Sequence, residues 1–268
     1  MKRFVKLLLM CTLIMGLAFT AIGCGQEADE PKDNEGTEKP KLIVGSQTTY
    51  APFEFVDKET NEYVGFDMDL IRAIAEVQGY DVEIQSLGFD ALIPALQAGT
   101  VDCTISAQSI TPKRLEAIDF TEPYFNAGLI IAVQADNEDI KGLDDLKGKT
   151  LAAEVGTIGA DTSYSIKEAD DSTEVKIFDG IGEAFMELEQ GNADAVVNDF
   201  PVTDYYIKTT GKGKIKMVGE VFAANDQYGI GVKKGNEEIL NMLNEGLTKI
   251  KENGTYQDIY DKWFGPAQ

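Results

Sequence analysis

D-C-T-I-S-A-Q-S-I-T-P-K-R-L-E-A, residues 102–117, is the stretch that decides the fold. Asp102 to Ser106 reads as a short apolar strand. Thr111 then offers a hydroxyl that can accept from the first turn of a helix, and Pro112 takes the first helical position, where its missing N–H is no loss. Lys113 to Ala117 therefore opens a helix. A strand, a polar loop and a capped helix in succession form half of a β-α-β unit.

The same alternation runs outward in both directions. Upstream, Lys41 to Ser46 is a short apolar strand. Asp67 to Gln78 carries apolar residues at 68, 70, 71, 74, 75 and 77, the stripe of a helix, and Gly79 stops it. Tyr80 to Gln85 alternates like a strand, and Phe89 to Ala98 is helical, with Pro94 either kinking it or lying near its first turn. Downstream, Leu129 to Val133, Thr150 to Ala153, Glu174 to Phe178, Ala193 to Asn198 and Tyr228 to Val232 read as strands. Gly156 to Lys167 and Gly182 to Gln190 read as helices, and Asp199 with Pro201 opens another. Asn236 to Asn253 is a closing helix stopped by Gly254, and a shorter one ends near Trp263. Alternation of this kind predicts α/β layers with mainly parallel strands, whose ligands bind beyond the carboxyl ends of strands.

The N-terminus reads differently. Lys2, Arg3 and Lys6 precede an apolar run from Leu7 to Ala21, the pattern of a secretory leader and shorter than the ~20 residues of a spanning helix. Ala21-Ile22-Gly23-Cys24 resembles a bacterial lipobox, which implies cleavage after residue 23 and a lipid on Cys24. Gly25 to Pro40 has no aromatic or large aliphatic side chain and cannot offset its ordering entropy, so residues 24–40 are expected to be a disordered tether. The product is a domain outside the cytoplasm held to the membrane by lipid alone.

Composition excludes several functions. The formal charge is -22. Residues 1–23 carry three basic and no acidic residues, so their removal leaves -25. Such a surface disfavours nucleic acid and anionic bilayers. There is no His, which removes His-based catalysis and the usual zinc sites. Cys11 leaves with the leader and Cys24 carries lipid, so Cys103 has no disulfide partner and is expected to be a buried thiol.

Polar and aromatic groups gather at strand-to-helix junctions. One holds Ser106, Ser109, Thr111 and Arg114; a second holds Glu154, Gly156, Thr157 and Gly159; a third holds Asn198 and Asp199. The first strand leads into Gln47, Thr48, Thr49 and Tyr50, and Phe89 opens a helix. A guanidinium near a helix start can grip a carboxylate, aided by free amides. Taken singly, Arg114 is usual as a surface ion pair, Asp199 as an N-cap, and Tyr50 and Phe89 as core.

Residues 41–268 resemble the bacterial extracellular solute-binding proteins for polar amino acids, the glutamine, arginine and lysine–arginine–ornithine binders. The resemblance is carried by T-T-Y-A-P-F-E-F (48–55), Y-V-G-F-D-M-D-L (63–70), L-I-P-A-L-Q-A-G (92–99), I-T-P-K-R (110–114), I-D-F-T-E-P-Y (118–124), A-D-A-V-V-N-D (193–199) and N-G-T-Y-Q-D-I-Y-D-K-W-F (253–264), in family order. It implies the type II periplasmic-binding-protein fold: lobe 1 from 41–126 plus 226–268, lobe 2 from 127–225, two crossing hinge segments and a ligand between the lobes. Carried over residue by residue, Arg114 binds the ligand α-carboxylate with Ser109, Thr157 and the Ile158 amide. Asp199 binds the α-ammonium with backbone help near Ser106 and Ala107, and Tyr50 and Phe89 sandwich the aliphatic part. The resemblance implies a monomer that hands its ligand to a membrane permease with its own ATPase, and calls for no cofactor and no metal.

Gln47 and Glu154 meet the ligand's far end. A carboxylate there favours a guanidinium or ammonium, and Tyr50 and Phe89 add cation–π attraction. Arginine is favoured, then lysine or ornithine. Gln47 stands where several relatives are acidic, which keeps glutamine open. The fold also hosts cyclohexadienyl dehydratases, with Glu154 as a conceivable general acid, but Asp199 retains a partner for an α-ammonium that their substrates do not place there. A sensor module of a signalling receptor is the third reading; no further membrane helix or kinase region accompanies it.

Overall fold

The computed structural model describes residues 39–266. The leader (1–23), Cys24 and all but the last two residues of the tether lie outside the described residues. Among the described residues no helix is long and apolar enough to cross a membrane.

The chain begins with β1 (Lys41–Ser46), then β2 (Thr49–Tyr50), β3 (Glu54–Val56) and β4 (Tyr63–Val64), which form a small antiparallel sheet of their own. α1 (Phe66–Gln78) buries Met68, Leu70, Ile71, Ile74 and Ala75 of the stripe read from the sequence, leaves Val77 exposed, and ends on left-handed Gly79. β5 (Asp81–Ser86) follows. A 3-10 turn at Phe89–Ala91 runs into α2 (Leu92–Ala98), where Pro94 is the third residue and so sits in the first turn. Then come β6 (Cys103–Thr104), α3 (Pro112–Ala117) and β7 (Ile118–Phe120). The Thr111 Oγ1 accepts from the Arg114 N–H at 3.2 Å, the cap expected of Thr-Pro.

β8 (Phe125–Asn126) leads into a second series: β9 (Leu129–Gln134), β10 (Thr150–Glu154), α4 (Ile158–Ala169), β11 (Glu174–Phe178), α5 (Ile181–Glu189), β12 (Ala195–Asp199), α6 (Phe200–Lys208) and β13 (Ile215–Phe222). β14 (Gln227–Tyr228) brings the chain back to β15 (Gly231–Lys233), α7 (Glu237–Glu252) and α8 (Thr255–Phe264).

Two five-stranded sheets result, ordered β5-β1-β6-β15-β7 and β11-β10-β12-β9-β13. The expectation of mainly parallel strands holds for four of the five strands in each sheet and fails for the fifth, β15 in one and β9 in the other. In each sheet three neighbouring strands run parallel, and the remaining pairings, β15 with β6 and β7 and β9 with β12 and β13, are antiparallel. The reason is topological. The strand that enters each sheet after a passage through β8 or β14 arrives without a crossover helix, so nothing obliges it to run parallel. The long strand Tyr228–Val232 read from sequence is two strands with different partners, β14 on β8 and β15 on β6 and β7. The strand read over Asp102–Ser106 keeps only Cys103–Thr104, because the chain turns at Ala107, whose φ is 44°. β13 went unread; it has a register shift between Val218 and Phe222 that breaks its alternation.

β8 and β14 are the two crossings between the sheets, and they pair with each other, Phe125 opposite Tyr228. Their rings stack at 5.7 Å, and Phe53, Phe66, Tyr124, Tyr260 and Phe264 pack around them. Aromatic packing of this density makes the crossings a firm pivot. Cys103 is fully buried and free, and burial pushes its thiol up.

Candidate functional site

A narrow cavity lies between the carboxyl ends of the two sheets. It is lined by Gln47, Tyr50, Phe89, Ala107, Ser109, Arg114, Glu154, Thr157, Ile158 and Asp199. The first six come from the β1–α3 half and the last four from the β10–α6 half. Ser106, also expected here, is not in the lining. Its Oγ faces inward, accepting from the Gln47 N–H at 3.0 Å and donating to Glu54 at 2.8 Å, so it backs the wall that its neighbour Ala107 presents.

Arg114 occupies the third position of α3, where Thr111 and Pro112 place it. It donates to the Ser109 carbonyl at 2.8 Å and, across the cavity, to the Gly156 carbonyl at 3.0 Å. Its guanidinium stands 5.2 Å from the Phe89 ring centre. A guanidinium has five N–H donors, so three remain. Burial draws its pKa down, opposed by the charges of Asp199, Asp226 and Asp161.

Asp199 ends β12 and sits at the N-cap of α6, yet its side chain makes no cap bond. It turns into the cavity. The Tyr228 hydroxyl donates to it, and the Tyr50 hydroxyl stands 2.9 Å from both Asp199 Oδ2 and Asn198 Oδ1. Burial lifts Asp199 to about 6, against the pull of the two tyrosines and Arg114. The ordinary reading of an aspartate before a helix thus fails here.

Glu154 ends β10 and is 1% exposed. Neither carboxyl oxygen has a partner of good hydrogen-bond geometry. Burial lifts its pKa to about 8; the Gln47 amide and the Ile181 N–H stand near enough only to moderate this. Gln47 donates to the Asp179 carbonyl at 3.1 Å and leaves its own Oε1 unpartnered. The far end of the cavity therefore holds three oxygens without a hydrogen-bond partner. Buried acceptors in that state are costly, and a donor-rich guest relieves them.

Thr157 caps α4 through a 3.2 Å bond from the Ala160 N–H and gives its own proton to the Glu154 carbonyl at 2.8 Å. The helix start can approach β12 because residue 159 is glycine; a Cβ there would run into the Val197 carbonyl. Two residues of the site went unread in the sequence. Asp226, buried in the return crossing, accepts from the Ser109 hydroxyl at 3.1 Å, and Tyr228 supplies the Asp199 donor. Nothing local marks either one, since each acts on a partner from a distant part of the chain. Among the described residues no group of His, Cys, Asp and Glu side chains could hold a metal ion.

Two α/β halves on a paired pivot, closing over a narrow cavity of mixed charge, define a cleft-type binding protein. Residues 42–266 match the bacterial extracellular solute-binding proteins, family 3. A probable histidine-binding protein of Neisseria gonorrhoeae is 33% identical over 98% of this chain and 96% of its own. An ancestral arginine-binding protein, solved bound to arginine, superposes with a TM-score of 0.81 at 43% identity, covering 85% of this chain and 99% of that one. An ancestral arginine-binding protein solved bound to glutamine gives 0.79 at 43% identity, with the same coverage. The chain belongs to the bacterial extracellular solute-binding proteins, family 3, and has their two-lobed periplasmic-binding-protein fold.

Proposed function

We propose that this protein captures an L-amino acid with a cationic side chain, arginine first and then lysine or ornithine, and delivers it to the permease of an ABC importer. The carrying observation is the charge arrangement in one narrow cavity: Arg114 from one half, Asp199 from the other, and an unpartnered Glu154 between Gln47 and the remaining wall. Arg114 takes the α-carboxylate with its spare N–H donors, with Ser109, Thr157 and the Ile158 amide beside it. Asp199 takes the α-ammonium, Tyr50 and Phe89 flank the aliphatic stem, and Glu154 receives the cationic end. The ancestral arginine-binding proteins solved with arginine and with glutamine support both this reading and a second one. At neutral pH Glu154, with its raised pKa, is a carboxylic acid that can also donate to an amide, which favours glutamine. The same proton would suit a general acid, but Asp199 then lacks its partner.

The lobes are taken as 41–126 plus 226–268 and 127–225, swinging about β8 and β14. A ligand gripped by both stabilises the closed form through its differential affinity. The protein works as a monomer, tethered outside the cytoplasm by lipid on Cys24; Cys24→Ser should release it from the membrane, and continued retention would remove the lipid anchor. The deciding experiment is a thermal-shift screen against the common amino acids. Ligand at ~1,000 times its dissociation constant stabilises by about 4 kcal/mol. Arginine should give the largest shift; a larger shift with glutamine selects the second reading, and no shift with any amino acid overturns both.

A further inference from the structure

Behind the cavity wall lie two carboxyl groups with no solvent exposure, Glu54 at the start of β3 and Asp67 in the first turn of α1. They meet because Gly65, at φ 134°, admits α1 to within touching distance of β3; a Cβ at that position would run into the Phe53 carbonyl. Glu54 Oε1 accepts from the Ser106 hydroxyl at 2.8 Å. Asp67 Oδ2 accepts from the Ala107 N–H at 2.7 Å and from the Tyr124 hydroxyl at 2.8 Å. Each group keeps one oxygen without a donor, Glu54 Oε2 and Asp67 Oδ1. Among the described residues no Lys or Arg forms an ion pair with either.

Two bare carboxylates in contact in a dry interior repel, and each would leave an acceptor unsatisfied. A single proton resolves both problems, because the carboxyl that holds it donates to the other. We propose that Glu54 and Asp67 share one proton, and that this pair is a positioning device for Ser106 and Ala107 in the wall of the binding cavity.

The surroundings place the proton on Glu54. Burial and the neighbouring charge of Asp67 both drive Glu54 upward; burial lifts Asp67 too, to about 7, but the Ala107 and Tyr124 donors pull it back towards the ionised form. The other titratable groups facing the pair are Tyr50, Tyr124, Tyr256 and Glu154, none of them a cation. The consequence reaches the cavity by two routes. Ala107 holds φ 44°, a region alanine seldom adopts, and its N–H is tied to Asp67. Ser106, anchored on Glu54, in turn receives the Gln47 N–H. Ala107 and Gln47 both line the cavity.

The full-length chain and its Glu54→Gln and Glu54→Ala variants test this. Gln can accept from Ser106 and donate to Asp67, so it mimics the protonated acid; Ala cannot. Infrared spectra at neutral pH, taken in a Glu154→Gln background to remove that second protonated carboxyl, should show a carboxylic-acid band that disappears on Glu54→Gln. A raised Glu54 stabilises the fold fully at acid pH and loses that contribution as pH rises through its folded value. The melting temperature of Glu54→Gln should therefore fall less steeply with rising pH than that of the wild type, the slope that remains coming from Glu154 and Asp199. Amino-acid affinity, which rests on the function proposed above, should stay within about twofold for Glu54→Gln and fall at least about tenfold for Glu54→Ala. An unchanged infrared band and slope overturn the shared proton, and unchanged affinity in a folded Glu54→Ala protein overturns the positioning role. If the wild type binds no amino acid, the functional reading fails, while the spectra and melting slopes still decide the proton.

Discussion

The two walls of the cavity are provisioned in opposite ways. On the wall from the first sheet, polar groups are already engaged: Arg114 holds two backbone carbonyls, Ser109 holds Asp226, and Ser106 and Ala107 are tied to Glu54 and Asp67. On the wall from the second sheet, Glu154 has two oxygens with no partner, and Asp199 depends on tyrosines reaching over from the other half. One wall is preorganised save for the Gln47 Oε1, and the other is left incomplete. A preorganised wall suits the part that all amino acids share, since its geometry needs no adjustment on binding. An incomplete one supplies discrimination, because only a ligand with matching donors relieves it.

Breaking the preorganised wall should have the largest effect. Arg114→Ala removes the half-buried cation that faces the ligand carboxylate and whose charge favours ionised Asp199. Amino-acid affinity should fall by about 2–5 kcal/mol, a loss of roughly thirtyfold or more, for every ligand alike. Unchanged calorimetric affinity would remove Arg114 from the site.

Changing the incomplete wall should be smaller and selective. Glu154→Gln removes a charged acceptor worth about 1.5–3 kcal/mol to a cationic group, so arginine should weaken tenfold or more while glutamine changes by less than about threefold. Equal losses would end the case for a cationic side chain.

The pH dependence is the most diagnostic. In the empty protein Asp199 holds its proton below about 6 and Glu154 below about 8. A cation binds the ionised forms, so capture releases those protons and affinity rises with pH until each group is ionised. Affinity for glutamine should level off above pH 6. Affinity for arginine should continue to rise towards pH 8, by up to about tenfold per unit. Parallel profiles for the two ligands would assign the proton elsewhere.

Much of this contrast was legible in the sequence, and for a local reason. Thr111 and Pro112 put Arg114 in the first turn of a helix because capping and a fixed proline φ act over three or four residues. The stripe of α1, the stop at Gly79 and the junctions holding Glu154, Thr157 and Asp199 were readable on the same ground. The direction of Asp199 was not. A local rule makes it a cap, whereas Tyr50, 149 residues away, and Tyr228, 29 residues away, draw it into the cavity. Periodicity also could not reveal the antiparallel strands, because it carries side-chain facing and not strand direction.

Sequence by itself determined the element types, the alternating α/β order, the acidic balance, the leader-like N-terminus and, through ordered motifs, the family. Those follow from interactions between near neighbours in the chain or from composition. Only the tertiary structure decided which charges are neutralised and which are left for a guest. It set Arg114 against the Gly156 carbonyl, left Glu154 without a partner, and brought Glu54 and Asp67 into contact behind the wall. Burial and the meeting of distant side chains set the energy of a charge, and neither is written in the spacing of residues along the chain.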